Sequence, residues 1–246
     1  MHLGVRAQES SLSDVFAPGE RLRMPPYQRS YSWGEQEALE LLGDLQEATD
    51  AQIPHFIGAV VFVHGEEPGV LEIVDGQQRL TTLTILLCVL RDLEPDKDRA
   101  RALHALIADE ARPILGEGAN WRIALNYQDG AFFRDTIQRP GATLVLDADP
   151  GESESQARMA ANAVAFHKEL GQVEPGQRRA LAEIAMKGCA LVRVVVDNKD
   201  QGFKVFRVLN TRGKELGAHD IIKTELFQRA RFSALEAARY ACLLYT

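Results

Sequence analysis

Apolar residues recur along this chain with two periods, and the switches between them outline its elements. Ser11 or Ser13 ahead of Asp14-Val15-Phe16 predicts a short capped helix, ended by Pro18-Gly19. Arg21-Leu22-Arg23-Met24 alternates like a strand, and Pro25-Pro26 stops it in an extended segment. Ser32 is expected to cap a helix running to about Asp50, with Ala38, Leu41, Leu42 and Leu45 on one face. Residues 55–63 are rich in β-formers, Glu66-Glu67-Pro68-Gly69 reads as a turn, and residues 70–74 form a second strand, which together predict a hairpin. Gly58 inside its first strand marks a bulge or a close backbone approach.

After Asp75-Gly76 a long apolar helix is expected from Gln78 to about Leu93, stopping before Pro95. Residues 99–170 read as mostly helical, interrupted by a turn-forming stretch at 140–151. Residues 191–196 form a strand of β-branched character, followed by the polar turn Asp197-Asn198-Lys199-Asp200. Phe203, Phe206 and Leu209 suggest a helix broken at Asn210-Thr211-Arg212-Gly213, and residues 218–246 read as helical. That last pattern stops within an amphipathic repeat, so the natural chain is expected to continue. The whole predicts an α+β fold, a small mixed sheet core with extensive helical additions.

Composition narrows the class. With 46% hydrophobic and 26% charged residues, the 246-residue chain can bury one large domain or two closely packed subdomains. No apolar run approaches the roughly 18 residues of a membrane span, and the first thirty residues mix charges with prolines where a signal peptide is apolar. A cytoplasmic protein without membrane partners is expected. Cys88, Cys189 and Cys242 lie far apart in apolar surroundings, which reads as core and not as a disulfide or zinc framework. A net charge of -7 argues against coating DNA by bulk electrostatics, so any nucleic-acid contact must be local. The first 33 residues are slightly basic, with Arg6, Arg21, Arg23 and Arg29 against Glu9, Asp14 and Glu20.

Three runs carry candidate chemistry. The first, Asp75-Gly76-Gln77-Gln78-Arg79-Leu80-Thr81-Thr82, sits where a strand hands over to a helix N-terminus. Backbone N–H groups are unpaired there and the helix dipole is positive, which favours an anion. Gly76 permits close approach, Arg79 can fork onto phosphate oxygens, Thr81 or Thr82 can add hydroxyl donors, Asp75 could hold Mg²⁺ or orient a water, and a Gln can position an attacking water. A capped helix with Arg79 in a surface ion pair is the plainer alternative.

The second run, Pro26-Tyr27-Gln28-Arg29-Ser30-Tyr31-Ser32-Trp33, crowds three aromatics and an arginine into a proline-led loop. Stacking on a base, with Arg29 on a phosphate, is one reading. Tyr27 and Trp33 stapling the loop to the core is the other. The third run joins Asn210-Thr211-Arg212-Gly213-Lys214 to Asp220 and Lys223. Its basic residues suit a polyphosphate, although plain helix-loop-helix packing accounts for the pattern as well. No Walker loop, metal-spaced histidine pair or Gly-x-Ser-x-Gly elbow is present.

Taken together these runs, with Phe56-Ile57-Gly58 leading into Asp75-Gly76-Gln77-Gln78-Arg79-Leu80-Thr81-Thr82, resemble the N-terminal domain of GmrSD-type restriction endonucleases over residues 11 to about 230. The resemblance implies a ParB/sulfiredoxin-like core and nucleoside triphosphate hydrolysis. Asp75, Gln77, Gln78 and Arg79 would be catalytic, with Mg²⁺ on Asp75. Gly76, Thr81, Thr82, Asn210, Arg212 and Lys223 would bind the nucleotide. In an SspE-like phage-defence branch that senses phosphorothioate DNA, the corresponding loop looks like the sensing element, which assigns Tyr27, Gln28, Arg29, Tyr31 and Trp33 to modified DNA. The family implies coupling to a His-Asn-His nuclease, but this sequence contains no histidine motif of that kind.

The expected organisation is a ParB-like nucleotide- and DNA-sensing core over 1–95, a helical insertion over 96–190, and a strand with C-terminal helices over 191–246 that completes the core before a nuclease domain. The expected function is a nucleotide-hydrolysing regulatory domain of a modification-dependent restriction or phage-defence nuclease. A non-catalytic module that senses modified DNA, or an assembly adaptor that buries the C-terminal helix against a partner, would be the alternatives.

Overall fold

The computed structural model describes residues 5–25, 28–109, 119–146, 152–198, 200–202 and 204–205. The chain opens with strand β1 (Val5–Ser11), where the sequence pattern had suggested only the helix that follows. Helix α1 (Leu12–Val15) is capped by Ser11, whose hydroxyl accepts from the Asp14 amide while the Asp14 carboxylate accepts from Ser11. Then come β2 (Arg21–Arg23), α2 (Glu35–Ala51), and the expected hairpin of β3 (His55–His64) and β4 (Val70–Asp75).

Helix α3 (Gln77–Asp92) follows one residue after β4. It is buried on nearly every side, as a helix that is apolar all round must be. Beyond it lie α4 (Lys97–Ala105), the short pairs β5 (Ala108–Asp109) and β6 (Asn120–Trp121), and β7 (Ile123–Ala124). Helix α5 (Gly130–Phe132) runs on as a π-helical turn over Phe133–Gln138, and α6 (Glu154–Gly171), α7 (Pro175–Glu183) and β8 (Cys189–Val196) complete the described elements.

Six strands form one mixed sheet in the order β1-β8-β3-β4-β2-β7. Strand β8 runs antiparallel to β1 and parallel to β3, and β2 runs parallel to both β4 and β7. The α+β expectation is met, with one difference. Helical periodicity was read from residue 99 onward, yet Ile123–Ala124 joins the sheet edge, where Leu22 and Met24 donate their amides to the carbonyls of Arg122 and Ala124 at 2.7 and 2.9 Å. Unmade edge hydrogen bonds of β2 outweigh local propensity there.

One face of the sheet carries the main core. Ile57, Val60 and Phe62 of β3, Leu71 and Ile73 of β4, and Leu191 of β8 pack with α2, α3, α6 and α7. The opposite face is a valine surface of Val61, Val63, Val74, Val192, Val194 and Val196, over which the chain returns at Gly202 and Val205. The alternation of two apolar faces explains the near-continuous apolar runs of β3 and β8. Cys88 and Cys189 lie in the core, and burial pushes both thiols up to about 12. Cys242 and the helices read over 218–246 lie outside the described residues.

Candidate functional site

The site is built where β4 meets α3. In the β3–β4 ladder Val61 faces Asp75 and Phe62 faces Ile73, so Val74 is passed over. That bulge leaves the end of β4 with carbonyls to spare, and the Gln28 side-chain amide takes two of them, donating to Val74 O at 2.8 Å and Ile73 O at 3.3 Å. A second bulge falls on β3, where the register to β8 slips between Phe56 and Ala59 around Gly58.

Both glycines of the site are dictated by space as well as dihedral angle. Gly58 has φ +94°, and a Cβ there would sit 3.1 Å from Nη1 and 3.2 Å from Cζ and Nη2 of Arg79. Three guanidinium atoms equidistant from one point place the plane flat against Gly58, so the bulge and the close approach read from the sequence are both present. Gly76 has φ +89°, and a Cβ there would meet Val60 Cγ1 at 2.6 Å. The close approach at Gly76 is therefore to the protein's own β3, where the sequence had suggested a ligand.

Gly76 is the N-cap of α3; no side chain caps the first turn and no acidic residue lies in it. Among the described residues no side chain takes these first-turn amides, which lie at the positive end of the helix dipole. Arg79 makes one long contact, Nη1 to Ala59 O at 3.4 Å, and no ion pair among the described residues. Burial pushes its guanidinium below the ordinary value, with Asp75 pulling the other way. Burial also raises the Asp75 carboxyl above its usual range, against the Gly76 amide and the positive charges of Arg79 and Arg29. Two charged groups are therefore held half-dry without being paired directly.

The loop and the helix start, 46 residues apart in sequence, interlock. Gln78 Oε1 accepts from the amides of Ser32 at 2.8 Å and Trp33 at 3.4 Å, and its Nε2 donates to Ser30 O at 3.3 Å. Both ends of this amide are thus spent on the loop backbone. Ser32, engaged in this way and also giving its carbonyl to Arg158 Nη1 at 3.0 Å, does not cap α2; Gly34 does, its amide held by Glu37 at 2.9 Å. The Gln77 side chain is largely buried and makes no hydrogen bond to a described residue.

The remaining candidates divide clearly. Thr81 and Thr82 are buried, and the Thr82 hydroxyl donates to Gln78 O at 2.9 Å and contacts the Tyr31 hydroxyl at 2.6 Å, so neither threonine is presented at the surface. Tyr31 is also in the core, which leaves its ring unavailable for stacking, and Trp33 packs partly buried against the same core. Gln28 is half-buried with its side-chain amide held by the end of β4, while Arg29 is exposed and is the outward charged group of the loop. Tyr27, Asn210, Arg212 and Lys223 lie outside the described residues. Asn162 and Arg158 of α6, which reach the loop, were not visible in the sequence because some 130 residues separate them from it and no periodicity marks them.

Elsewhere, a shallow cleft of about 420 Å³ is lined by Asp98, Arg101, Asp109 and Arg122. Its charges neutralise one another, with Arg101 on Asp98 at 2.8 Å and Arg122 on Asp109 at 2.6 Å. No group of three His, Cys, Asp or Glu side chains able to hold a metal occurs among the described residues. No described helix is long and apolar enough to cross a membrane.

These features define a mixed α/β domain whose strand-to-helix junction carries, among the described residues, no side-chain cap and an arginine with a single long hydrogen bond, beside an arginine-bearing loop. The chain belongs to the family of the GmrSD restriction endonuclease N-terminal domain, whose model matches residues 12–227. Its place is therefore in a restriction or phage-defence protein. No curated protein matches the chain significantly.

Proposed function

We propose that this domain binds and hydrolyses a nucleoside triphosphate at the Asp75–Arg79 junction, under the control of DNA contacted by the Gln28–Arg29 loop. The observation that carries the reading is Arg79: a half-dry guanidinium lying flat on Gly58, its donors almost unused among the described residues, beside a helix start that no described side chain caps. Such an arrangement stabilises phosphate oxygens through charge-assisted hydrogen bonds, and more strongly as charge develops in the transition state.

Gln77 is the amide left to align a water, since Gln78 is committed to the loop. Asp75 is the carboxylate of the junction, and its raised pKa suits a proton acceptor. One carboxylate fits Mg²⁺, which characteristically takes one or two carboxylates together with substrate phosphates. Bound there, Mg²⁺ would neutralise phosphate charge. Arg29, exposed beside Asp75, links the loop's DNA-facing side to the same centre. The family suggests that a His-Asn-His nuclease, elsewhere in the full protein or on a partner, makes the cut, and a ParB/sulfiredoxin-like ancestry of the core accords with the phosphate-handling junction.

Phosphate release from each nucleotide, measured with and without phosphorothioate or glucosylated DNA, tests this reading. Release stimulated by one DNA type supports it and identifies the modification. DNA binding without release would favour a non-catalytic sensing module, the reading that exposed Arg29 supports by itself.

A further inference from the structure

Asn162 of α6 is fully buried, and its Nδ2 donates to the Tyr31 hydroxyl at 2.8 Å and to Trp33 O at 3.1 Å. An amide nitrogen can only donate, which imposes an order on the bonds beyond it. Tyr31, accepting from Asn162, sends its own proton to Thr82 Oγ1, and Thr82 in turn donates to Gln78 O. The chain of donors therefore runs one way, from α6 through the loop to the first turn of α3. Gln78 closes the circuit by returning its side chain to Ser30, Ser32 and Trp33.

We propose that Asn162 is a positioning residue that locks the Gln28–Trp33 loop to the helix turn bearing Arg79, so that whatever engages the loop is felt at the anion site. This rests on the hydrolysis reading above for its functional consequence. The geometry argues against simple packing: among the described residues the buried Asn162 Oδ1 has no partner, a cost that an apolar side chain of the same size would avoid. What the amide supplies is direction, because its two donors fix the Tyr31 hydroxyl and the Trp33 carbonyl at once. Arg158, one turn earlier on α6, adds a second tie through Ser32 O. The loop cannot shift without breaking this circuit or carrying Gln78 with it. Burial pushes the Tyr31 phenol up to about 12, so its proton stays in place across the neutral range.

The test compares the full chain with Asn162→Leu, Tyr31→Phe and the double variant, by amide hydrogen exchange and by phosphate release from Mg-ATP and Mg-GTP with phosphorothioate duplex DNA. Each single variant is expected to raise exchange at residues 30–33 and 77–79 by about 10-fold, the double no further, while β8 and the second half of α3 keep their protection. In the same variants kcat is expected to fall about 10-fold with KM changed by less than about 2-fold, the mark of a misplaced group and not of lost binding. Unchanged exchange at 30–33 in folded Asn162→Leu would overturn the proposal, as would protection lost throughout the domain or local loosening with wild-type kinetics. A wild-type chain that releases no phosphate, with the local exchange effect intact, would instead defeat the hydrolysis reading and leave the positioning role standing.

Discussion

Helix α3 carries an Arg–Asp combination at each end, and the two are built in opposite ways. At the C-terminal end Arg91 donates Nε to Asp92 at 2.7 Å, Nη1 to Gln138 O at 2.6 Å and Nη2 to Arg139 O at 3.0 Å, while Asp92 also receives the Gly141 amide and the Thr143 hydroxyl. At the N-terminal end Arg79 makes, among the described residues, one hydrogen bond of 3.4 Å, and Asp75 forms no ion pair with it. Burial raises both carboxyls, but at Asp92 the Arg91 fork, the Thr143 hydroxyl and the Gly141 amide outweigh it and hold the group low, whereas at Asp75 burial wins. A structural arginine spends its donors inside the protein. Arg79, among the described residues, does not, and no ion pair of the kind made by Arg91 is seen at it there.

The largest effect that would sharpen this contrast is on turnover. Arg79→Ala is expected to lower phosphate release by about 10²-fold or more, from the loss of transition-state charge stabilisation, while the melting temperature stays near wild type. A melting temperature that collapses with activity would erase the distinction. Arg91→Ala, conversely, should cost about 3–5 kcal/mol in denaturant unfolding, because it strands the Asp92 carboxylate.

Next in size, Gly58→Ala should lose about 1–3 kcal/mol from strain at positive φ and also displace the guanidinium beneath it, lowering turnover. Gly69→Ala, with φ +74° but remote from Arg79, is the control: similar loss of stability, unchanged phosphate release. Two smaller effects are read by pH. Asp75→Asn should leave stability at neutral pH equal or improved, since a carboxyl raised by burial destabilises the fold only when ionised. That difference should vanish below the ordinary carboxylate pKa. Glu94, lowered to about 2 by its bonds from Arg179, behaves in the opposite sense. The destabilisation caused by Glu94→Gln should be full above about pH 4.5 and disappear as pH falls toward 2, in thermal unfolding across that range.

Much of the architecture was legible from pattern alone. The Ser11 cap, the hairpin of β3 and β4, the long apolar α3 and the strand near residue 191 were all visible as local signals. Strand β1 was not, because Val5 to Ser11 alternates weakly and is defined by pairing with β8, a partner far along the chain, from Val5 with Val196 to Ser11 with Ala190. The same limit applies to the site. Gly58 and the Asp75–Arg79 run could be singled out, but Gln78 as the tie to the loop, and Asn162 as the tie to α6, could not.

By itself the sequence determined which residue types meet at a strand-to-helix junction: a carboxylate, a glycine with left-handed backbone, two amides and an arginine. These are near neighbours in the chain, and short-range sterics and capping chemistry decide their arrangement. Only the tertiary structure decided which of those side chains are already spent. Whether Arg79 or Gln78 still has donors to offer depends on carbonyls supplied by β3 and by the loop, and burial makes each such bond, or its absence, count.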